Sequence, residues 1–401
     1  MIPEGWEYRA LEELASIKRG KFSARPRNDP RYYGGSTPFV QTGDVVAAKK
    51  YLTRYSQTLN DDGVGVSKVF PPDTILITIA ANIGATAITT FPVACPDSVV
   101  GINPLSKVAD CEWLKAILES KQPELDSQAT QNAQKNINLE VLKPLQILAP
   151  PFSEQQLIGD ASRTWDRAIE TVEALIANVR AQKQALMQQL LPQGTTPPKK
   201  RLPGFSGEWR EIRLGAAFSE RVERGDDQLP LLSVTKANGV IPQGEAGRRN
   251  ISSDDQSNYK TVRAGDIAYN TMRMWQGASA LSTLTGKVSP AYTIVTPRKG
   301  HDALFYAHLF KQPKMIHVFE RHSQGLVSDT WNLKYPHLAK IRTCVPDIEE
   351  QRAIGAAFRS LDDSTSAYEA QLTALRQEKA ALMQQLLTGK RRVKLPESEV
   401  A

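Results

Sequence analysis

The heptapeptide Ala-Leu-Met-Gln-Gln-Leu-Leu stands at Ala185–Leu191 and again at Ala381–Leu387. The shift of 196 residues that superimposes the two copies also carries Glu154-Gln155 onto Glu350-Gln351 and Ile158-Gly159 onto Ile354-Gly355. Arg163, Asp166, Glu173-Ala174, Arg180 and Lys183 fall on Arg359, Asp362, Glu369-Ala370, Arg376 and Lys379. The register never slips. One inserted residue would turn every later side chain of a helix by roughly 100°, so an ungapped repeat of this length demands two continuous helices. The chain therefore reads as two half-molecules, each a globular part followed by one long helix.

Periodicity agrees. Ile158, Ala161, Trp165, Ala168, Val172, Leu175, Val179 and Leu186 recur at spacings of three and four, and Ile354, Ala357, Leu361, Ser364, Tyr368, Leu375 and Leu382 repeat the pattern. This is an a/d seam, widened by a flanking stripe at Ile169, Ile176, Leu190, Leu372 and Leu386. The residues expected to pack the helices are Ile158, Trp165, Val172, Leu175, Val179 and Leu186 in the first and Ile354, Leu361, Tyr368, Leu372, Leu375 and Leu382 in the second. Pro150-Pro151-Phe152-Ser153 and Pro346-Asp347 supply prolines and capping side chains before the helices, while Pro192-Gln193-Gly194 and Gly389 end them. Each helix spans about 38 residues, roughly 55–60 Å. Two such helices in one chain are expected to pack as an antiparallel coiled coil, giving a pseudo-two-fold axis with the globular parts at opposite ends.

The globular parts resemble each other more weakly. Trp6 and Leu11 have counterparts in Trp209 and Leu214, and Phe70–Ile77 matches Val262–Tyr269 in character, a turn before an apolar β-branched run. Helices are expected at Glu112–Lys121 and Leu304–Phe319, which makes each part α+β. The predicted organisation is a globular domain at 1–150, a helix at 151–192, a linker at 193–204, a second globular domain at 205–346, a helix at 347–389 and a tail at 390–401. The linker's Lys199-Lys200-Arg201-Leu202-Pro203 resembles Arg391–Pro396 of the tail. The chain thus stops about where another repeat would begin, and circular continuity of this kind predicts that the termini lie close together.

Composition and motifs narrow the chemistry. Hydrophobic residues make up 41% and charged residues 23%, ordinary for a chain that builds real cores. The charged N-terminus and the lack of a long apolar run predict a cytoplasmic protein. Cys95, Cys111 and Cys344 form no CxxC pair and read as small hydrophobes. A net charge of +7 and a pI near 9.1 suit a polyanionic partner without requiring one. Ala149-Pro150-Pro151-Phe152 lacks the polar first residue of a DNA-methyltransferase amine site, and Gly286-Lys287 and Gly389-Lys390 lack the rest of a phosphate-binding loop. Acid–lysine pairs such as Glu112 with Lys115 have no second carboxylate for a nuclease metal. The five histidines, His301, His308, His317, His322 and His337, read as structural or surface residues. The chain reads as a non-enzyme with no catalytic or metal-ligating residues and no bound cofactor.

In order and spacing, these features resemble the specificity subunit of type I restriction–modification systems. The resemblance covers the whole chain: a recognition region, then a long helix entered by Pro150-Pro151-Phe152-Ser153-Glu154-Gln155-Gln156-Leu157-Ile158, then both again with Pro346-Asp347-Ile348-Glu349-Glu350-Gln351-Arg352-Ala353-Ile354. Thr130–Ile137 and Tyr269–Gly277 also match the family. The second entry has one proline where the first has two. The resemblance implies two target-recognition domains, each reading half of a bipartite duplex DNA site, with the helices as a ruler. It implies a prokaryotic cytoplasmic complex with two modification (methyltransferase) subunits that bring S-adenosylmethionine and adenine N6-methylation. Restriction subunits would bring ATP and Mg. The competing reading is a coiled-coil scaffold with protein-binding ends.

Bases are read mostly by Arg, Lys, Asn and Gln, and phosphates are held by Lys, Arg and backbone amides. The candidates in the first region are Lys18, Arg19, Lys21, Arg25, Arg27, Gln131, Gln134, Lys135 and Asn136. Those in the second are Arg248, Arg249, Arg273, Arg321 and Gln324. The loops Gln131–Asn136 and Ser323–Gly325 precede the last strand of their regions at comparable places and rank first. Differing loops on a repeated frame predict a target whose two halves differ.

Overall fold

The computed structural model describes residues 2–128, 136–224, 228–235, 239–247, 257–327 and 330–393. The chain forms two compact units, Met1–Val172 with Gln371–Ala401, and Glu173–Ala370. The long helices run over Phe152–Leu190 and Ile348–Leu387. Each lends its opening turns to one unit and its closing turns to the other. The unit boundaries therefore fall inside the helices, not at their ends. Among the described residues no helix is long and apolar enough to cross a membrane.

Both units are α+β and repeat one plan. In the first, the strands run in the order Ala15–Arg19, Val99–Pro104, Ile75–Thr78, Thr86–Thr89 and Tyr51–Leu52. In the second, Phe218–Glu220, Tyr292–Pro297, Ile267–Asn270 and Ser279–Leu281 follow the same order, with no fifth strand among the described residues. A separate two-stranded antiparallel pair, Glu7–Ala10 with Gln146–Ala149, recurs as Arg210–Arg213 with Arg342–Val345. The first unit adds a four-stranded sheet that includes Tyr33–Phe39.

The expected short helices need one correction. Cys111–Ser120 forms as a single helix, but the second unit has Ala303–Leu309 and then Pro313–His322. Pro313 has no N–H to continue the first and serves instead as the opening residue of the next.

Each core takes in the start of one long helix and the end of the other. Ile158 joins Trp6, Trp113 and Leu118 in the first unit, where Met383, Leu386 and Leu387 also bury. Ile354 and Phe358 join Phe218, Phe305 and Phe310 in the second, together with Leu190 and Leu191. Within each unit the two helical segments are antiparallel, held by Lys379 on Asp166 (2.5 Å) in the first and by Lys183 on Asp362 in the second. The duplicated heptapeptide is thus a wedge driven into a globular core rather than the tail of a seam.

The seam itself is shifted from the expected one. Val172, Ile176 and Leu190 are buried, whereas Leu175, expected to pack the helices, is exposed. Trp165, Val179, Leu186, Leu361, Tyr368, Leu372, Leu375 and Leu382 are half-buried. The buried line keeps the a positions but takes the residue after d. A helix flanked by a globular part on one side turns its wider apolar stripe inward.

The entry motif explains itself in contacts. Gln155 accepts from the Asp110 N–H (3.0 Å) and donates to Val108 O (3.1 Å) and Pro150 O (3.0 Å). Gln351 accepts from the Asp302 N–H (3.0 Å) and donates to Pro346 O (2.9 Å). Asp110 and Asp302 cap the helices that follow them, through the N–H groups of Trp113 and Phe305. A side chain at Gly159 would lie 2.5 Å from Asp110 Oδ1, and one at Gly355 would lie 3.1 Å from Asp302 Oδ1. Glycine lets the long helix abut the capped turn.

Near the two ends of the described residues the chain closes on itself. Arg392 binds Glu154 (2.7 Å) and donates to Glu4 O (3.0 Å). Its counterpart in the linker, Arg201, binds Glu350 and donates to Gly207 O (2.6 Å).

Gly194 O accepts from Cys344 N (3.2 Å) and Thr343 Oγ1 (3.2 Å), covering the free edge of strand Arg342–Val345. At the equivalent edge of the first unit lies an open groove of about 990 Å³, lined by Tyr8, Ile147, Leu148, Ile169 and Met383.

Candidate nucleic-acid interface

Two loops converge in each unit. The strand Ile75–Thr78 turns through Ile79–Gly84 before Thr86–Thr89, and Ile137 N donates to Ile79 O (3.0 Å), which seats Asn136 beside that turn as a bridge to Ala80. In the second unit the strand Ile267–Asn270 turns through Thr271–Gly277, and Leu333 N donates to Thr271 O (2.8 Å). Gln324 and Asn332 exchange two backbone hydrogen bonds of 2.8 Å that close the neighbouring loop. Asn136 and Ile137, the described end of one of the two stretches, and Tyr269–Gly277, which come from different places in the repeat, thus belong to the two halves of one kind of loop pair.

The pairs differ in chemistry. The turn in the first unit carries Ala80, Ala81 and Asn82, small residues whose backbone reaches φ +63° at Ala81. The turn in the second carries Met272, Arg273 and Trp275, with Met272 and Arg273 exposed. Trp275 meets Trp331 edge to face at 5.4 Å and ties the second loop to the first. Arg321, at the end of helix Pro313–His322, and Gln324 are exposed beside them. Arg273, Arg321 and Gln324 are therefore gathered on one set of loops.

The N-terminal candidates form a second group. Lys18 and Arg19 end the strand Ala15–Arg19, and with Lys21 they are exposed. Arg19 donates to Asp97 O (2.5 Å), and Arg27 binds the Asp97 carboxylate at 2.8 and 2.9 Å. Arg25 instead folds onto its own backbone, donating to Ala24 O (2.7 Å) and Phe22 O (3.3 Å). Arg221, just after the strand Phe218–Glu220, holds Asp266 (2.7 and 3.1 Å) together with Thr296 and acts as a structural brace. Gln131, Gln134, Lys135, Arg248 and Arg249 lie outside the described residues.

A buried charge network joins the first recognition region to its helices. Lys50 sits between Glu112 (2.6 Å) and Asp166 (2.8 Å), and Tyr51 donates to Glu112. Glu112 thus pairs with Lys50, while Lys115 pairs with Glu119. Burial pushes the Asp166 carboxyl up, but the hydrogen bonds from Lys379 and Lys50 outweigh it and leave it below the ordinary carboxylate range. In the second unit His308 occupies the corresponding ground, 3.8 Å from Asp362, and burial with Lys183 nearby pushes it down to about 4. Among the described residues no group of three His, Cys, Asp or Glu could hold a metal ion.

Loop pairs presented on a duplicated α+β frame, with polar side chains that differ between the copies, define an internally repeated protein with one candidate interface in each unit. Residues 3–181 match the family model described as the type I restriction modification DNA specificity domain, and over nearly its whole length the chain is similar to specificity subunits of type I restriction enzymes. It is 22% identical over 424 residues to the type I restriction enzyme MjaVIII specificity subunit of Methanocaldococcus jannaschii, covering 98% of this chain and 94% of that one. In fold it is similar to the type I restriction–modification S subunit of M. genitalium, with a TM-score of 0.62, 16% identity and coverage of 98% and 97%. A structure concerned with complex assembly and conformational transition of the type I system has a TM-score of 0.55 at 17% identity, covering 98% of this chain and all of that one.

Proposed function

We propose that this chain reads a bipartite, asymmetric duplex DNA sequence, one half with each unit, and carries two modification subunits on its long helices. The observation that carries the reading is the pair of equivalent loop sites, Ile79–Gly84 with Asn136 and Thr271–Gly277 with Gln324, set on matched frames with unmatched side chains. Arginine, asparagine and glutamine are the side chains that read base edges bidentately. The basic balance of the chain favours the phosphates on either side. In this reading S-adenosylmethionine belongs to the modification subunits, ATP and Mg to restriction subunits, and this chain performs no chemistry.

Methylation profiling of genomic DNA with and without the chain tests this directly. A bipartite adenine-methylated motif that appears only when the chain is present supports it. Co-purification with protein partners and no sequence-specific duplex binding would select the scaffold reading instead.

A further inference from the structure

The geometry points to a thymine-reading contact in the second unit: Leu326, with Val327 and Met272, meets the 5-methyl group of a thymine in the half-site that this unit reads. The inference rests on the DNA-reading function proposed above and deepens it.

Leu326 is fully exposed, Val327 is 58% exposed and Met272 is 45% exposed. Scattered apolar residues on a surface need no explanation, but these three lie on the two loops that the fold locks together. The loop base is closed by the reciprocal Gln324–Asn332 pair. Val327 O accepts from Thr330 N (2.9 Å) and Thr330 Oγ1 (2.9 Å). Gly325 has φ +147°, and any side chain there would lie 2.7 Å from the Thr330 backbone. These contacts hold the described residues on either side of Leu326, which stands fully exposed among them. Trp331 against Trp275 and the Leu333–Thr271 hydrogen bond fix it to the turn that carries Met272 and Arg273.

The surroundings name the occupant. Arg273, Arg321 and Gln324 are exposed on the same linked loops and the adjoining helix end, which suits a polyanion and not an apolar protein partner. In the major groove, Arg reads guanine, Gln reads adenine, and an apolar side chain reads the thymine methyl. All three kinds of reader stand together here. The first unit's counterpart turn carries Ala80, Ala81 and Asn82, with no long apolar side chain comparable to Leu326 or Met272.

The test uses the full chain and duplexes it selects from a random pool, with each thymine replaced singly by uracil, which removes only the methyl. Loss of one methyl contact weakens binding about fourfold. We expect that loss at one or two thymines within one half-site, and Leu326→Ala should bind thymine and uracil duplexes there equally. Asn136→Ala should leave that thymine preference unchanged. Three results overturn the inference while leaving DNA reading intact: no thymine preference, a preference that survives Leu326→Ala, or a base-unstacking signal from 2-aminopurine in place of methyl dependence. A wild-type chain that prefers no duplex over scrambled sequence sinks both.

Discussion

Gln155 and Gln351 show how one side chain ties a long helix to a globular part. Each satisfies the backbone N–H of an aspartate that is itself a helix cap, so a single amide orders two helix starts. Gln155→Ala leaves Asp110 N–H and two carbonyls without partners in a buried place. It should cost about 2–4 kcal/mol in denaturant unfolding. Gln156→Ala, one residue on and exposed, should cost under about 0.5 kcal/mol. Equal losses would remove the amide from this role. The identity of these residues was visible in the repeat, but their partners were not, because Asp110 and Asp302 are far away in sequence and carry no mark of their own. His308 offers a second test. Its folded pKa lies near 4 against an ordinary 6.5, so the unfolded chain takes up a proton that the folded one refuses. The stability contribution is complete above about pH 6.5 and is lost as pH falls toward 4. His308→Ala, which copies Ala116 of the first unit, should flatten the decline in urea midpoint between pH 7 and pH 5. An unchanged slope would show that other groups cause it.

At the scale of the helix, prolines and glycines marked the ends well, because they act on backbone geometry that sequence alone determines. The buried face was less legible. Leu175 and Ile176 are neighbours, both apolar, and periodicity fits a seam through either one. What decides is the width of the surface that each helix meets, and that surface comes from distant parts of the chain. The two residues therefore separate the expected seam from the observed one. Ile176→Asn should destabilise the protein by about 2–4 kcal/mol, while Leu175→Asn should cost under about 1 kcal/mol. Thermal or urea unfolding of the two variants measures the difference, and the reverse order would restore the a/d seam. The second unit's helix likewise breaks at Gln312-Pro313, where the apolar pattern runs on but the backbone cannot.

At the scale of the whole molecule, the repeat was legible because a helix tolerates no gap, and the recognition loops were not, because loops obey no period. Lys18, Arg19 and Lys21 lie on one exposed stretch, yet Arg25 is bound to its own backbone, a distinction that a count of basic residues cannot make. In the proposed function the helices set the distance between half-sites, and a test of that role must avoid the wedges. Lys183, Leu186, Met187 and Leu190 are engaged in the second unit, so an insertion among them would damage a core rather than lengthen a spacer. The junctions Val172–Glu173 and Ala370–Gln371, where the units divide, are the better sites. Four residues placed at both junctions add roughly 6 Å and about 40° beyond a full turn, which keeps each buried face nearly in line. At 3.4 Å per base pair, the preferred spacer should lengthen by about two base pairs, with both half-site sequences unchanged. Selection of duplexes from a pool with variable spacers reads this out directly. New half-site sequences with the old spacer would mean that the helices take part in reading bases and do not set the distance between them.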